Sequence, residues 1–156
     1  MGLPMARNLA RAGMLAGAWN RSPAKAAALA AETGAQAFDS PGALAAACDA
    51  VVLCVSADAD VRSVVDALLP ALAPGSLVVD CSTVGADTAR ESAARLASHG
   101  VAFLDCPVSG GVEGARAGTL AIMCGGEAEA FERAQPLLRA LGRTITHMGP
   151  SGAGQA

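Results

Sequence analysis

The chain has 156 residues, a formal net charge of -3 and a composition that is 53% hydrophobic but only 3% aromatic. This length suits one domain with an aliphatic core, and the acidic balance excludes a basic surface for nucleic acid or an anionic membrane. No signal peptide pattern opens the chain and no stretch reaches the ~18 apolar residues of a spanning helix. We therefore expect a cytoplasmic protein whose five scattered cysteines are reduced and bind no metal.

Short apolar runs alternate with alanine-rich stretches along the whole chain. Strands are predicted at residues 15–19, 35–38, 50–55, 76–80, 101–105, 119–124 and 144–148. Helices are predicted at residues 4–12, 23–32, 41–47, 59–72, 86–98 and 128–140, and no element is predicted between Asp105 and Thr119. Strands alternating with helices of about ten residues indicate an α/β fold, a doubly wound and mostly parallel sheet. We expect one domain over residues 1–156, which the motifs below characterise as dinucleotide-binding.

The opening segment Met1-Gly-Leu-Pro-Met-Ala-Arg is similar to the end of a G-x-G-x-x-G dinucleotide fingerprint. In that interpretation Gly2 is the third glycine and contacts the cofactor, while the preceding strand and first two glycines are missing. The alternative is an ordinary helix that begins at Pro4, since proline is favoured in a first helical turn.

The next strand ends at Trp19-Asn-Arg-Ser22, where doubly wound domains bind the adenosine ribose. Asn20, Arg21 and Ser22 are therefore candidate cofactor residues. Arg21 would pair with a 2′-phosphate and favours NADP, with NAD possible. The alternatives are a solvated arginine and a serine that caps the following helix.

Two later strand ends are further cofactor candidates. Val55, Ser56 and Ala57 would line the cofactor, although the nearby Asp58 and Asp60 could simply favour a helix N-terminus. Thr83 follows Asp80-Cys-Ser and would also face the cofactor. Its alternative, shared with Ser82, is to cap the helix predicted from residue 86.

The segment Asp105-Cys-Pro-Val-Ser-Gly-Gly111 combines a hydroxyl with bare backbone after a buried strand. Ser109, Gly110 and Gly111 would bind a substrate carboxylate, which needs hydrogen-bond donors at close range. We expect Asp105, Ser109 and the glycines to lie together at one strand end. The alternative is a glycine-rich turn.

Taken in order, these segments resemble the β-hydroxyacid dehydrogenase family, which includes the 3-hydroxyisobutyrate dehydrogenases. The resemblance rests on Met1-Gly-Leu-Pro-Met-Ala-Arg-Asn-Leu, Asn20-Arg-Ser, Asp80-Cys-Ser-Thr, Asp105-Cys-Pro-Val-Ser-Gly-Gly, Gly118-Thr-Leu-Ala-Ile-Met-Cys-Gly-Gly and Gly152-Ala-Gly-Gln. It implies a Rossmann domain followed by a helical domain that builds a homo-oligomer. It also implies hydride transfer between NAD(P) and a small 3-hydroxy acid or semialdehyde acid, with Ser109–Gly111 on the carboxylate and Thr83, Asn20 and Arg21 on the cofactor.

The family's catalytic lysine follows a Gly-x-Gly-x-x-x-Lys pattern, of which Gly152 and Gly154 match. The lysine is therefore expected at the second position past Ala156, and no catalytic residue is expected within the chain. The resemblance thus implies a fragment without its first strand and its helical domain. Cys106 stands where the family usually has Ala, and Asp87 where it usually has Pro. The alternatives are a non-catalytic nucleotide-binding or scaffold module, or a 6-phosphogluconate dehydrogenase-like enzyme, which shares Val-Ser-Gly-Gly.

Overall fold

The computed structural model describes the whole chain, Met1–Ala156. Seven α-helices are formed: α1 (Gly2–Arg11), α2 (Pro23–Thr33), α3 (Pro41–Ala47), α4 (Asp58–Leu68), α5 (Ala86–Ala97), α6 (Gly111–Ala117) and α7 (Ala128–Leu141). Eight strands are formed: β1 (Gly17–Ala18), β2 (Gln36–Ala37), β3 (Ala50–Leu53), β4 (Leu77–Asp80), β5 (Ala102–Asp105), β6 (Val108–Ser109), β7 (Leu120–Gly125) and β8 (Gly142–Gly149). No helix has both the length and the apolar character needed to cross a membrane.

The strands form two separate sheets. Strands β1 and β2 pair in parallel, and no ladder joins them to the larger sheet. In the larger sheet β3, β4 and β5 run parallel, β7 runs antiparallel to both β5 and β6, and β8 pairs in parallel with β7. The predicted mostly parallel α/β sheet is therefore confirmed, with β7 and β8 reversed relative to β3, β4 and β5.

The glycine-rich stretch after β5 contains regular secondary structure that its sequence does not predict. It forms the short strand β6 and the seven-residue helix α6, which ends at Gly118 with a left-handed φ of 69°. This connection is too short for a parallel crossover, which takes a dozen or more residues, so β7 returns antiparallel to β6.

The core lies on both faces of the larger sheet. Every residue of β4 is buried, and its side chains alternate between two apolar clusters. Leu77 and Val79 face the cluster under α1 and α7, whereas Val78 faces the cluster under α4 and α5. This double cover explains the unbroken apolar runs of the strands, and it places the carboxyl ends of β3, β4 and β5 at one edge.

Candidate functional site

The loops that leave β3 and β4 are hydrogen-bonded to one another. The Val55 N–H donates to Ser82 Oγ at 2.9 Å, and the Gly85 N–H donates to Asp58 Oδ2 at 3.0 Å. The Thr88 hydroxyl donates to the same carboxylate oxygen at 2.5 Å. These two bonds, that from Thr88 first, hold the pKa of Asp58 below its usual value. Asp58 is thereby kept charged and ties α4 to the start of α5.

Thr83 is presented at this edge by its two anchored neighbours. The Gln155 Nε2 donates to the Ser82 carbonyl at 2.7 Å, and the Val84 N–H donates to Gln155 Oε1 at 3.1 Å. Thr83 itself is exposed between them. Its hydroxyl therefore faces outward from a fixed backbone, which is the placement that a ligand-contacting side chain needs.

Asp105 holds the segment that carries Gln155. Its side chain is fully buried; Oδ1 accepts the Gly152 N–H at 2.8 Å and Oδ2 accepts the Gln155 N–H at 3.1 Å. We call Asp105 and Gln155 the clamp, because their side chains join the ends of β4 and β5 to residues 152–155.

Two glycines make room for the clamp. A Cβ at Gly125 would lie 2.7 Å from both Asp105 Oδ1 and the Gly154 backbone nitrogen. A Cβ at Gly154 would lie 2.6 Å from the Met123 carbonyl oxygen. Main chain therefore packs directly on main chain around the buried carboxylate of Asp105.

Asp80 is a second buried carboxylate, paired in register with Asp105 on the neighbouring strand. Its Oδ1 accepts the Ser82 N–H at 2.9 Å, while Oδ2 has no partner. Burial, with smaller contributions from the charges of Asp105 and Asp58, raises the pKa of Asp80 to about 6. A carboxyl with an unpaired buried oxygen is more stable in its protonated form.

The Asn20–Ser22 segment, next to β1, is exposed. Asn20 Oδ1 accepts the Ser22 N–H at 2.9 Å, which turns the chain into α2. Arg21 pairs with Asp60 at 2.6 Å and keeps 78% of its side chain exposed. Ser22 is the residue before α2, but its side chain makes no capping bond. The alternative in which Ser22 caps α2 is therefore wrong, and its hydroxyl is free.

The remaining predicted cofactor residues lie near the start of α1. Gly2 is the first residue of α1, two positions before the predicted start at Pro4, and a Cβ on it would lie 3.5 Å from the Cβ of Cys54. Val55 follows Cys54 and is half-buried, while Ser56 and Ala57 are exposed. The structure thus brings Gly2 next to the loop that follows β3.

The alternative in which Ser82 or Thr83 caps α5 is also wrong. The residue before α5 is Gly85, with no side-chain cap. The Ser82 hydroxyl instead accepts the Val55 N–H, because Ser82 is buried between the two loops.

Ser109, Gly110 and Gly111 lie together, but not with Asp105. Ser109 is exposed on β6, opposite Ala121, whereas Asp105 is buried inside the clamp. The expectation that they share one strand end is wrong, because the chain starts a new antiparallel strand after Pro107. Gly110 and Gly111 have φ of 136° and 63°, and a Cβ on Gly111 would meet nothing within 4 Å. Bare backbone therefore faces open space beside the Ser109 hydroxyl.

The structural roles of Asp58 and Gln155 are not evident from the sequence. The sequence indicates only that Asp58 favours a helix N-terminus. Its hydrogen-bond donors at the start of α5 are 27 and 30 residues further along the chain. Gln155 contacts Ser82 across 73 residues. Gln155 belongs to the Gly152-Ala-Gly-Gln segment of the family resemblance, but nothing in that segment indicates a contact with Ser82.

Comparison with known proteins gives a consistent picture. The family described as the NAD binding domain of 6-phosphogluconate dehydrogenase matches residues 1–149. The NAD-dependent L-serine dehydrogenase of Pseudomonas aeruginosa is 44% identical over 99% of this chain and 53% of its own length. The structure of Mycobacterium tuberculosis 3-hydroxyisobutyrate dehydrogenase with L-serine superposes with a TM-score of 0.94 at 41% identity, covering 99% of this chain and 53% of that one.

A further structure, Psf3 in complex with NADP+ and 2-OPP, superposes with a TM-score of 0.91 at 34% identity, covering 99% of this chain and 56% of that one. This chain spans about half the length of each of these proteins. The resemblance to the β-hydroxyacid dehydrogenases is confirmed at the level of the family. The chain belongs to the family of NAD-binding domains found in 6-phosphogluconate dehydrogenase and the related 3-hydroxyisobutyrate dehydrogenases.

Proposed function

We propose that the protein carrying this chain transfers hydride between NADP and a small 3-hydroxy acid or its semialdehyde. The observation that carries this proposal is the exposed Thr83, held by the clamp at the edge that Val55, Ser56 and Ala57 also occupy. Ligands of doubly wound sheets bind at this edge. The relatives support the same class, since their names describe an L-serine and a 3-hydroxyisobutyrate dehydrogenase.

The residues present fit a dinucleotide. Gly2 opens α1 close to the loop after β3, and the amide groups of a first helical turn favour a pyrophosphate. Asn20, Arg21 and Ser22 would hold the adenosine ribose, and Val55, Ser56, Ala57 and Thr83 the rest of the cofactor. The nicotinamide, when bound, supplies or accepts the hydride.

The 2′-substituent would be read by Arg21. An exposed guanidinium forms strong, paired hydrogen bonds with a phosphate, so Arg21 favours NADP. Asp60 opposes it, because the carboxylate already pairs with Arg21 and would repel a phosphate. NAD therefore remains a usable cofactor in this proposal. The relatives are similarly divided: one is named NAD-dependent and another was solved with NADP+.

Ser109, Gly110 and Gly111 would hold the substrate carboxylate. The Ser109 hydroxyl and the open backbone of the glycines offer neutral donors, and the left-handed φ of Gly111 keeps side chains out of the way. The proton of the substrate hydroxyl would be moved by a lysine at the second position past Ala156. The clamp would orient that lysine, because it fixes residues 152–155 directly before it.

Two features of the whole protein complete the proposal. No ladder joins β1 and β2 to the larger sheet, and one more strand of the whole protein would connect the two sheets. A helical domain would close the substrate site and build a homo-oligomer. Both come from the family resemblance rather than from the residues of this chain.

The test is turnover by the full-length protein with NADP+ or NAD+ and a panel of short 3-hydroxy acids that includes L-serine and 3-hydroxyisobutyrate. We expect reduced nicotinamide to accumulate with at least one acid. Ser109→Ala should raise the KM for the acid and leave that for the nucleotide unchanged. Nucleotide binding with no turnover on any acid or semialdehyde would overturn the proposal in favour of a non-catalytic module.

A further inference from the structure

Four of the five cysteines form a row across the larger sheet. Cys54, Cys81 and Cys106 directly follow β3, β4 and β5, which pair in register, and Cys124 lies in β7. Cys81, Cys106 and Cys124 are buried in one apolar cluster, and Cys54 packs against it. The fifth, Cys48, lies apart at the end of α3.

The strand register places Cys106 directly opposite Cys124. Asp105 pairs with Gly125, and Val108 pairs with Ile122, so one register runs through the whole antiparallel ladder. The Met123 N–H donates to the Pro107 carbonyl at 3.1 Å, which makes that pair the hydrogen-bonded one. Cys106 and Cys124 therefore occupy the adjacent non-hydrogen-bonded position.

This position suits a disulfide. Cα atoms of a non-hydrogen-bonded antiparallel pair lie about 4.5 Å apart, with their side chains close together. Disulfides span Cα separations of roughly 4.4 to 6.8 Å. The bond could form here without moving either strand.

The two thiols already interact. The interaction between the two side chains lowers the pKa of Cys124 and raises that of Cys106. Burial opposes the shift at Cys124 and adds to it at Cys106. Cys124 is therefore the thiol of the pair that ionises first, and the thiolate is the form that reacts with oxidants.

We propose that Cys106 and Cys124 are a reversible redox pair that a peroxide oxidises to a disulfide. The Cys124 thiolate attacks one peroxide oxygen, which breaks the O–O bond, forms a sulfenic acid and releases hydroxide. The Cys106 sulfur then attacks the sulfenic sulfur and displaces its hydroxyl group, and the thiol proton and the hydroxyl leave as water. In total two thiols lose two electrons and two protons, and the peroxide becomes two waters.

The disulfide would enclose residues 107–123, and so the whole Ser109–Gly111 segment. It would fasten β6 to β7 and fix the backbone of Gly110 and Gly111. The pairing depends only on the strand register, so its test does not depend on the proposed dehydrogenase activity.

The experiment is peptide mapping of the full-length protein after hydrogen peroxide. Free thiols are blocked with N-ethylmaleimide in denaturant, and the protein is cut with trypsin. Cleavage after Arg95, Arg116 and Arg133 puts Cys106 in peptide 96–116 and Cys124 in peptide 117–133, with no other cysteine in either. We expect these two peptides linked, at their summed mass less two hydrogen atoms, and separated again by dithiothreitol.

Two variants control the mapping. Cys106→Ala should abolish the linked species completely, while Cys48→Ala should leave its yield unchanged. A link from Cys106 to peptide 63–90, which carries Cys81, would overturn the proposal. So would maleimide-labelled Cys106 and Cys124 at a peroxide dose that oxidises Cys48 or Cys54. If Cys106→Ala fails to fold, the wild-type map alone decides, because only a Cys106–Cys124 bond links peptides 96–116 and 117–133.

Discussion

The two ends of the candidate site are held by different forces. At the clamp, the fully buried Asp105 and the side chain of Gln155 fix the backbone through four hydrogen bonds. Near β1 the strands are two residues long, and the exposed Arg21 is held by a surface ion pair. Buried hydrogen bonds to charge are strong, whereas exposed ion pairs contribute little and are screened by salt. The end of the site at the clamp is therefore rigid, and the end at Arg21 is adjustable.

Removing the buried carboxylate should have the largest effect. Asp105→Ala leaves the N–H groups of Gly152 and Gln155 without acceptors inside the protein, and should lower the free energy of unfolding by about 4 kcal/mol. Urea unfolding measures it. Asp87→Ala is the control: Asp87 is 98% exposed and pairs only with Arg90, so its loss should cost less than about 0.5 kcal/mol. Equal losses in the two variants would contradict the comparison.

Asp80 should make the same end sensitive to pH. Its pKa rises from 3.8 unfolded to about 6 folded, so the folded state holds the proton more tightly. The extra stability is fully present below about pH 4 and is lost as pH rises through 6, by about 2 to 3 kcal/mol.

Asp80→Asn removes the titrating proton and should flatten the stability profile between pH 4 and 6. Unfolding measured across that range, for the variant and the wild type, checks this. The opposite result is a free energy of unfolding that rises with pH more steeply in the wild type than in Asp80→Asn. It would show that folding stabilises the charged form of Asp80.

At the adjustable end, charge should control cofactor choice and leave folding nearly unchanged. Arg21→Asp should lower the NADP/NAD ratio of kcat/KM by roughly tenfold or more, since a carboxylate repels the 2′-phosphate and accepts from the ribose hydroxyl. Asp60→Asn should raise the ratio severalfold by releasing Arg21.

Asp66→Asn is the matched control for Asp60→Asn. Asp66 lies on the same helix and pairs with Arg95, away from Arg21. Its ratio should equal that of the wild type. A ratio that shifts equally in both variants would mean that α4 acts through its total charge rather than through Asp60.

The Arg7–Glu32 pair should have the smallest effect. Both side chains are exposed, and their two hydrogen bonds join α1 to α2. Their interaction, measured by a double-mutant cycle of Arg7→Ala and Glu32→Ala, should be weaker than any effect above and should vanish in concentrated salt. A coupling free energy that does not change with salt would show that the Arg7–Glu32 pair is shielded from solvent ions, as the buried bonds of the clamp are.

Most elements could be predicted from the sequence, because they depend on local patterns. The strand predicted at residues 50–55 contains β3, and the helix starts predicted at Pro23 and Pro41 are confirmed. Helix α6 was not predicted, because it contains two glycines, which are poor helix formers. A distant contact helps to anchor it: the buried Asn8 side chain donates to the Ala115 carbonyl at 2.6 Å.

The site shows the same division. The motifs around Arg21 and Thr83 marked strand ends, and the structure places both residues exposed near those ends. Their assignment to the cofactor stays a prediction. The hydrogen bonds that Asp105 accepts join segments about 50 residues apart, and the two that the Gln155 side chain makes join segments about 70 residues apart. No local pattern encodes such a pairing.

The glycines that surround the clamp also restrict how this domain can evolve. At Gly125 and Gly154 even one methyl group would collide with main-chain atoms of another segment, which cannot move aside as a side chain can. A larger residue at either site therefore has no compensating single substitution elsewhere. These two positions should therefore stay glycine among related sequences, while the exposed surface around Arg21 is free to vary.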